Sequence, residues 1–252
     1  APHQDELLRT IHTAWKIRTE RFQRFRIRYA KTQKTESGPQ QIPGVRIEAR
    51  AESERPTVRT TVAEMVMDAS QARINERPGD ESNSETDGQN RQGIFQSSHS
   101  EIDEGASGST LVTTPQVADH ELLLLAMRPF DFQGQTRSID EYRIVDGEAR
   151  LNGRRAVRLE GSSPNDGNIR HVMWVDPMSD YVIIQHDSTV DGKLRSRYQI
   201  AYHQDSPVVP SEWSYQLVAV NGASTVTVQA KQLQFEAHPA ISTANFDPAT
   251  WP

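Results

Sequence analysis

Apolar residues near the N-terminus recur first at helical spacing and then at strand spacing. From Asp5 to Phe22 they fall three or four positions apart on one side, which predicts an amphipathic helix. The period then changes to two, as three apolar residues alternate with three arginines: Phe25, Ile27 and Tyr29 against Arg24, Arg26 and Arg28. This alternation predicts a strand with one apolar and one cationic face.

The middle of the chain mixes strand-like stretches with a polar interruption. Strands are predicted over 45–52, over 57–76 as one long or two bent strands, and as short pieces over 94–102 and 109–114. Residues 76–93 contain no large apolar side chain, so a flexible loop is predicted there. Residues 117–129 are leucine-rich and predict a short helix whose end is limited by Pro129.

The C-terminal part reads as strands joined by tight turns. Asp146-Gly147, Asn152-Gly153 and Asp191-Gly192 are dipeptides typical of hairpin turns. Residues 174–202 hold four aspartates, for which we expect solvated positions at turns between three strands. A calcium loop is the alternative for DSTVDG at 187–192, but the twelfth position is Tyr198 instead of a bidentate glutamate. The succession of strands with short turns predicts an antiparallel meander.

Composition narrows the classes of function. The 252 residues are 35% hydrophobic, with a mean hydropathy of -0.70, a net charge of -6 and no cysteine. Dispersed charges argue against nucleic acid as a partner, and the missing cysteines exclude disulfides and thiol catalysis. No apolar run approaches the ~20 residues of a membrane span. A removed signal peptide is one explanation, and an arbitrary start point another, for a sequence that begins at Ala1.

Motifs for catalysis or metal binding are missing from the sequence. The eight histidines form no HExxH pair, and no GxSxG elbow, Walker loop or GxGxxG turn is present. We therefore predict no enzyme, no catalytic residue, no metal and no cofactor. A hydrolase whose site the motifs miss stays as a less favoured alternative.

The C-terminal motifs resemble those of a known family. They are GRRAVRLEG at 153–161, HVMWVDPMSDYVIIQHDSTVDGKLRSRYQIAYHQ at 171–204 and VVPSEW at 208–213. Together with the order of elements, they resemble the LolA/LolB-like family of envelope lipoprotein-sorting factors. The resemblance implies an incomplete antiparallel β-barrel, a strongly curved sheet closed by the N-terminal helix and the short mid-chain helix. It also implies a hydrophobic interior that takes up lipoprotein acyl chains.

These observations lead to one set of expectations. We expect a single α+β, mostly β domain over 1–252, in the periplasm or cell envelope, that binds a lipid, an acyl chain or another apolar ligand and is at most peripheral to a membrane. The expected cavity wall comprises Phe25, Ile27, Tyr29, Val62, Met65, Leu123, Leu124 and Met127. The arginine face of Arg24, Arg26 and Arg28 is expected either to be solvated or to contact an anionic partner or a lipid headgroup. Envelope proteins are a further expected class of partner. The alternative function is a periplasmic sensor or protein-interaction module with a filled core.

Overall fold

A computed structural model provides the structure of the chain. It describes residues 2–37, 56–68, 71–78, 91–96, 115–131, 141–162, 168–219 and 224–241. The predicted strand at 45–52, the centre of the predicted loop at 79–90, residues 97–114 and the tail after 241 lie outside the described residues.

The described chain is mostly β, with two helices. Helix α1 covers Pro2–Arg21, helix α2 covers Pro115–Met127, and a 3₁₀ turn follows at Pro129–Asp131. The first four strands are β1 (Arg24–Ser37), β2 (Thr57–Asp68), β3 (Gln71–Pro78) and β4 (Arg91–Gln96). The remaining seven are β5 (Arg143–Leu151), β6 (Arg154–Ser162), β7 (Ile169–Asp176), β8 (Val182–Val190), β9 (Lys193–Tyr202), β10 (Pro210–Val218) and β11 (Ser224–Ala237). Both predicted helices and the two-strand reading of 57–76 are therefore confirmed.

All eleven strands belong to one antiparallel sheet. Their order is β4-β3-β2-β1-β11-β10-β9-β8-β7-β6-β5, so two sequential meanders meet where β1 pairs with β11. The outermost strands β4 and β5 are not paired with each other in the part of the chain that the structure describes. The sheet is thus open, and the chain passes from one edge to the other through the segment that contains α2.

The alternation in β1 fixes which face of the sheet is buried. Phe25, Ile27 and Tyr29 are fully buried, whereas Arg24 and Arg28 between and beside them are exposed. A strand places successive side chains on opposite faces, so one face of β1 meets the core and the other faces solvent. The prediction of an apolar and a cationic face is confirmed.

Two of the three predicted hairpin dipeptides form tight turns. Asn152-Gly153 and Asp191-Gly192 have positive φ at both residues, which is the requirement of a type I′ hairpin turn. The prediction for Asp146-Gly147 is wrong, because this pair lies inside β5, where the register against β6 is irregular. Leu7 of α1 lies against Gly147, since a Cβ added there would be 3.5 Å from Leu7 Cδ2. An alanine side chain there would make an ordinary van der Waals contact with the helix.

Two carboxylates that were expected to be solvated are buried or paired. Asp176 is fully buried, where it forms an ion pair with Arg154 and accepts a 2.9 Å hydrogen bond from the Met178 N–H. Asp187 binds Arg197 through two hydrogen bonds of 2.9 Å, from Nε and Nη2. The 174–202 segment forms strands and turns, and two of its aspartates hold neighbouring strands and turns together.

The core lies between the helices and one face of the sheet. Trp15 of α1 donates a 2.7 Å hydrogen bond to the Tyr181 carbonyl, and Phe22 packs edge-on against Phe235 of β11. Residues 118–129 of α2 and the following turn are buried except for Glu121, which is half-buried. A helix buried on nearly all sides is an internal element of the core. Among the described residues, neither helix is long and apolar enough to cross a membrane.

Candidate functional site

The apolar face of the sheet and the leucines of α2 form a common buried surface. Seven of the eight predicted wall residues are buried members of one core cluster: Phe25, Ile27, Tyr29, Met65, Leu123, Leu124 and Met127. They come from β1, β2 and α2, elements that are far apart in sequence. The structure therefore brings these seven predicted residues together.

Val62 is the exception among the predicted wall residues. It is half-buried, and its neighbours Thr61 and Ala63 on β2 are buried together with Met65. Because side chains alternate along a strand, Val62 lies on the opposite face from these three. Its assignment to the wall is wrong, since Val62 and Met65 are three positions apart and only even spacings share a face.

The arginine face lies on the outside of the sheet, where acids accompany two of its arginines. Arg24 Nε is 2.7 Å from Asp68 Oδ1 on β2, and Arg26 Nη1 is 3.0 Å from Glu236 Oε2 on β11. Exposed pairs of this kind contribute about 0–1 kcal/mol each. The face therefore carries compensated charge at Arg24 and Arg26.

A cluster of charged groups lies within the apolar core. Lys31 Nζ is 2.6 Å from Asp119 Oδ2 on α2 and also donates a hydrogen bond to Glu76 Oε1 on β3. The Tyr29 hydroxyl donates to the same Asp119 oxygen over 3.1 Å. All four residues are at most 3% exposed. This lysine cluster, Tyr29, Lys31, Glu76 and Asp119, joins α2 to the sheet by charge-assisted hydrogen bonds.

Burial and proximity shift the protonation of the lysine cluster. Burial lowers the pKa of Lys31, but the carboxylates of Asp119 and Glu76 outweigh this effect and raise its pKa overall. Burial raises the pKa of Asp119 despite the nearby ammonium. Burial, followed by the charge of Asp119, raises the pKa of the Tyr29 hydroxyl well above its usual value. The tyrosine therefore stays a neutral donor.

A row of aromatic rings crosses four neighbouring strands on the buried face. His171 of β7 stacks on His186 of β8 with ring centres 5.6 Å apart, and His186 stacks on Tyr198 of β9 at 6.0 Å. Tyr215 of β10 meets Tyr198 edge-on at 6.1 Å, and Tyr142 lies 3.0 Å from His186 Nε2. Burial, with a smaller effect of His171, lowers the pKa of His186 to about 3. The His186 ring is therefore uncharged at neutral pH.

Helix α2 contributes two further titratable groups on its polar positions. Glu121 accepts a 2.7 Å hydrogen bond from the Tyr198 hydroxyl, and burial raises the pKa of Glu121 to about 7 although this bond lowers it. Burial, followed by the charge of Arg128, lowers the pKa of His120 to about 4. The leucine-rich helix thus presents a carboxyl group of Glu121 that titrates near neutral pH.

Sequence reasoning missed the buried polar groups, although one signal was present. Lys31 continues the odd-numbered positions of Phe25, Ile27 and Tyr29, so a lysine stands on the apolar face of a strand. Lysine is almost never fully buried unless it is paired, so this position indicated a buried partner. No comparable pattern identified Asp119 as that partner, because it lies 88 positions away in the chain.

Comparisons with known proteins give limited similarity. No protein-family model matches the chain, and no curated protein does. Among solved structures, a DUF1329 family protein from Desulfovibrio piger ATCC 29098 is 10% identical, with 95% of this chain and 98% of that chain covered and a TM-score of 0.45. An isomerase-inactive variant of GphF DH1 is 9% identical, with 86% and 77% covered and a TM-score of 0.18. Neither similarity carries an argument about the function of this chain.

Proposed function

We propose that the chain is a non-enzymatic protein of the cell envelope that binds an apolar or amphipathic ligand, such as a lipid or a lipoprotein acyl chain, between a curved sheet and its helices. The observation that carries the proposal is the common buried surface formed by β1, β2 and α2. An apolar ligand would gain about 25 cal/mol for each Å² of its surface that leaves water, before the costs of ordering.

Contacts of α2 support a curved sheet. The helix touches β3, β8 and β10, and β3 and β8 are six strand positions apart in the sheet. On a flat sheet these strands would be roughly 29 Å apart, at about 4.8 Å per step. A helix of 13 residues is only about 20 Å long. A sheet that bends around α2 accommodates these contacts, as expected of the incomplete barrel that the sequence resemblance implies.

The interior also favours an amphipathic ligand over a purely apolar one. The lysine cluster and the half-buried Glu121 place hydrogen-bonding groups beside Tyr29 and the leucines of α2. Such an arrangement resembles binding sites in which a mostly apolar lining carries a few polar groups that orient the ligand. The periplasmic location, and a membrane association that is peripheral at most, rest on the sequence resemblance and are part of the same proposal.

Ligand uptake tests the proposal directly. Native mass spectrometry of the gently purified protein should show bound lipid, and a fluorescent fatty acid or a neutral apolar dye should bind with saturation. Leu124→Asp should abolish uptake, because it introduces a carboxylate into the shared wall. Ile17→Asp on the exposed side of α1 is the matched control and should bind normally.

Two outcomes would contradict the proposal. A clean apo mass without uptake of either probe would favour the sensor or interaction module with a filled core. Unchanged uptake in a folded Leu124→Asp protein would remove α2 from the wall. Since the aspartate could unfold the chain, Leu124→Phe provides a second variant, which should reduce the space available to the ligand while keeping the wall apolar.

A further inference from the structure

Three buried polar atoms around the lysine cluster have no hydrogen-bond partner among the residues that the structure describes. They are Asp119 Oδ1, Thr61 Oγ1 and Trp213 Nε1. The three residues are at most 3% exposed. Buried polar groups are nearly always satisfied in folded proteins, so each of these three atoms has hydrogen-bonding capacity left for a further molecule.

Strand register places two of these residues in one row across the sheet. Trp213 of β10 pairs with Ala230 of β11, Ala230 pairs with Lys31 of β1, and Lys31 pairs with Thr61 of β2. All four are buried on the core side. Ala230 is the smallest of them and lies between Trp213 and Lys31 in this row.

Helix α2 supplies the third unsatisfied atom above this row. Asp119 contacts Lys31 and the Tyr29 hydroxyl through Oδ2, which leaves Oδ1 for another donor. The Tyr29 ring lies 4.9 Å from the Trp213 ring, so the indole and the carboxylate approach Tyr29 from two sides. The polar subsite, defined as Lys31, Thr61, Asp119 and Trp213 around Ala230, therefore has walls from both the sheet and α2.

We propose that this polar subsite binds a neutral hydroxyl group of an amphipathic ligand whose apolar part lies along the common buried surface. The inference rests on the proposed function and names the ligand class for the same interior. A hydroxyl group both donates and accepts, so it can donate to Asp119 Oδ1 and accept from the Trp213 Nε1–H. The Thr61 hydroxyl can take either role.

The charges and hydrogen-bonding groups of the subsite disfavour a ligand carboxylate or ammonium in place of the hydroxyl group. Lys31 is already shared between Asp119 and Glu76, so a ligand carboxylate would add a third anion to a single buried cation. A ligand ammonium could donate to Asp119 Oδ1 but has no lone pair to accept from the Trp213 N–H, so the indole would stay unsatisfied. The subsite therefore selects a long-chain alcohol, or a lipid with an unesterified hydroxyl, over a fatty acid or an alkylamine of equal length.

Competition binding with matched ligands tests the subsite. Dodecanol, its methyl ether, dodecanoate and dodecylamine should each compete with a neutral apolar dye, and dodecanol should do so at a concentration about tenfold lower than its ether, the effect of one hydrogen bond at a buried site. The ether keeps the apolar chain and the acceptor but cannot donate to Asp119. Dodecanoate and dodecylamine should be weaker than dodecanol as well.

Two substitutions locate the effect in the protein. Trp213→Phe and Thr61→Val remove one polar atom each, and each should raise the concentration at which dodecanol competes with the dye. Trp213→Phe should weaken the ether as well, because the ether keeps the oxygen that accepts from the indole. Trp174→Phe is the matched control, because Trp174 packs under Arg158 at a partly buried position on β7. Trp174→Phe should bind dodecanol and its ether as the wild type does, and circular dichroism should show that all three variants are folded.

The outcomes separate the subsite from the proposed function. Equal competition by dodecanol and its ether, or competition by dodecanol that both Trp213→Phe and Thr61→Val leave unchanged, would overturn the subsite and assign the three atoms to ordered water, while apolar binding would stand. Absence of dye binding, and of competition by any ligand, would overturn the proposed function together with the subsite.

Discussion

Replacing Glu121 by glutamine should remove a loss of stability that the wild-type protein undergoes as the pH rises. The carboxyl group accepts a hydrogen bond from Tyr198, and burial raises the pKa of Glu121 to about 7. An acid with a raised pKa favours folding in its protonated form. Its contribution to stability is therefore complete below the unfolded pKa of 4.5 and is lost as pH rises through about 7. Glutamine imitates the protonated acid at every pH.

The magnitude follows from the two pKa values. A rise from 4.5 to about 7 corresponds to about 3 kcal/mol at 1.36 kcal/mol per unit. Because part of residue 121 is exposed, solvent reduces this to roughly 1–3 kcal/mol. The free energy of unfolding of Glu121→Gln minus that of the wild type should therefore rise by this amount between pH 4.5 and 8. The steepest part should lie between pH 5 and 7.

Urea denaturation at half-unit steps from pH 4.5 to 8.5 measures this difference. Contributions of His120 and His186 titrate in both proteins and cancel in the subtraction. Glu148→Gln is the matched control, since the Glu148 side chain is 74% exposed and stays in water in the folded and unfolded states. Its exposed ion pair with Arg155 is worth about 0–1 kcal/mol, so its difference from the wild type should change by no more than that over the pH range.

A difference curve for Glu121→Gln that runs flat from pH 4.5 to 8.5 would refute this reasoning. It would mean that the carboxyl group is hydrated in the folded protein and that its contact with Tyr198 does not enclose it. A curve that falls with pH would be a stronger contradiction, because it would show that the fold prefers the ionised form.

Three further substitutions test the buried charge and the turn geometry. Lys31→Met should lower the free energy of unfolding by about 3–5 kcal/mol at pH 7, because Asp119 and Glu76 lose their shared cation. The loss should be smaller at pH 4, where carboxylates take up protons. A loss below about 1 kcal/mol in urea denaturation at pH 7 would contradict the pairing. Gly192→Ala should cost about 1 kcal/mol because φ is +73° there, whereas Gly147→Ala, outside the left-handed region, should cost less, and equal losses would contradict the turn assignment.

Local patterns were sufficient to predict much of the sheet. The alternation from Arg24 to Tyr29 depends only on the two-residue period of a strand, and the turns at Asn152-Gly153 and Asp191-Gly192 depend on residues that tolerate positive φ. Asp146-Gly147 has the same local chemistry but lies in an irregular strand against Leu7 of α1. The one dipeptide that the local rule assigned wrongly therefore lies in a strand that contacts α1, not in a turn.

The polar interior was beyond local reasoning because its members meet only through the tertiary fold. Lys31 contacts Glu76 across β2 and Asp119 through α2, at separations of 45 and 88 positions. The Tyr198 contact with Glu121 likewise joins β9 to α2. Such pairs depend on the order of strands and on where α2 crosses the sheet, neither of which a hydrophobic period encodes.

Strand β1 is synthesised long before β11, one of the two strands with which it pairs. Arg26 and Glu236, an ion pair across these strands, are 210 positions apart. At the usual translation rates, β1 leaves the ribosome about 10–40 s before β11, its second neighbour in the sheet. During that interval its backbone donors and acceptors on one side are open to any passing strand. A nascent or prematurely terminated chain therefore exposes an unpaired strand edge at the position that becomes the middle of the finished sheet.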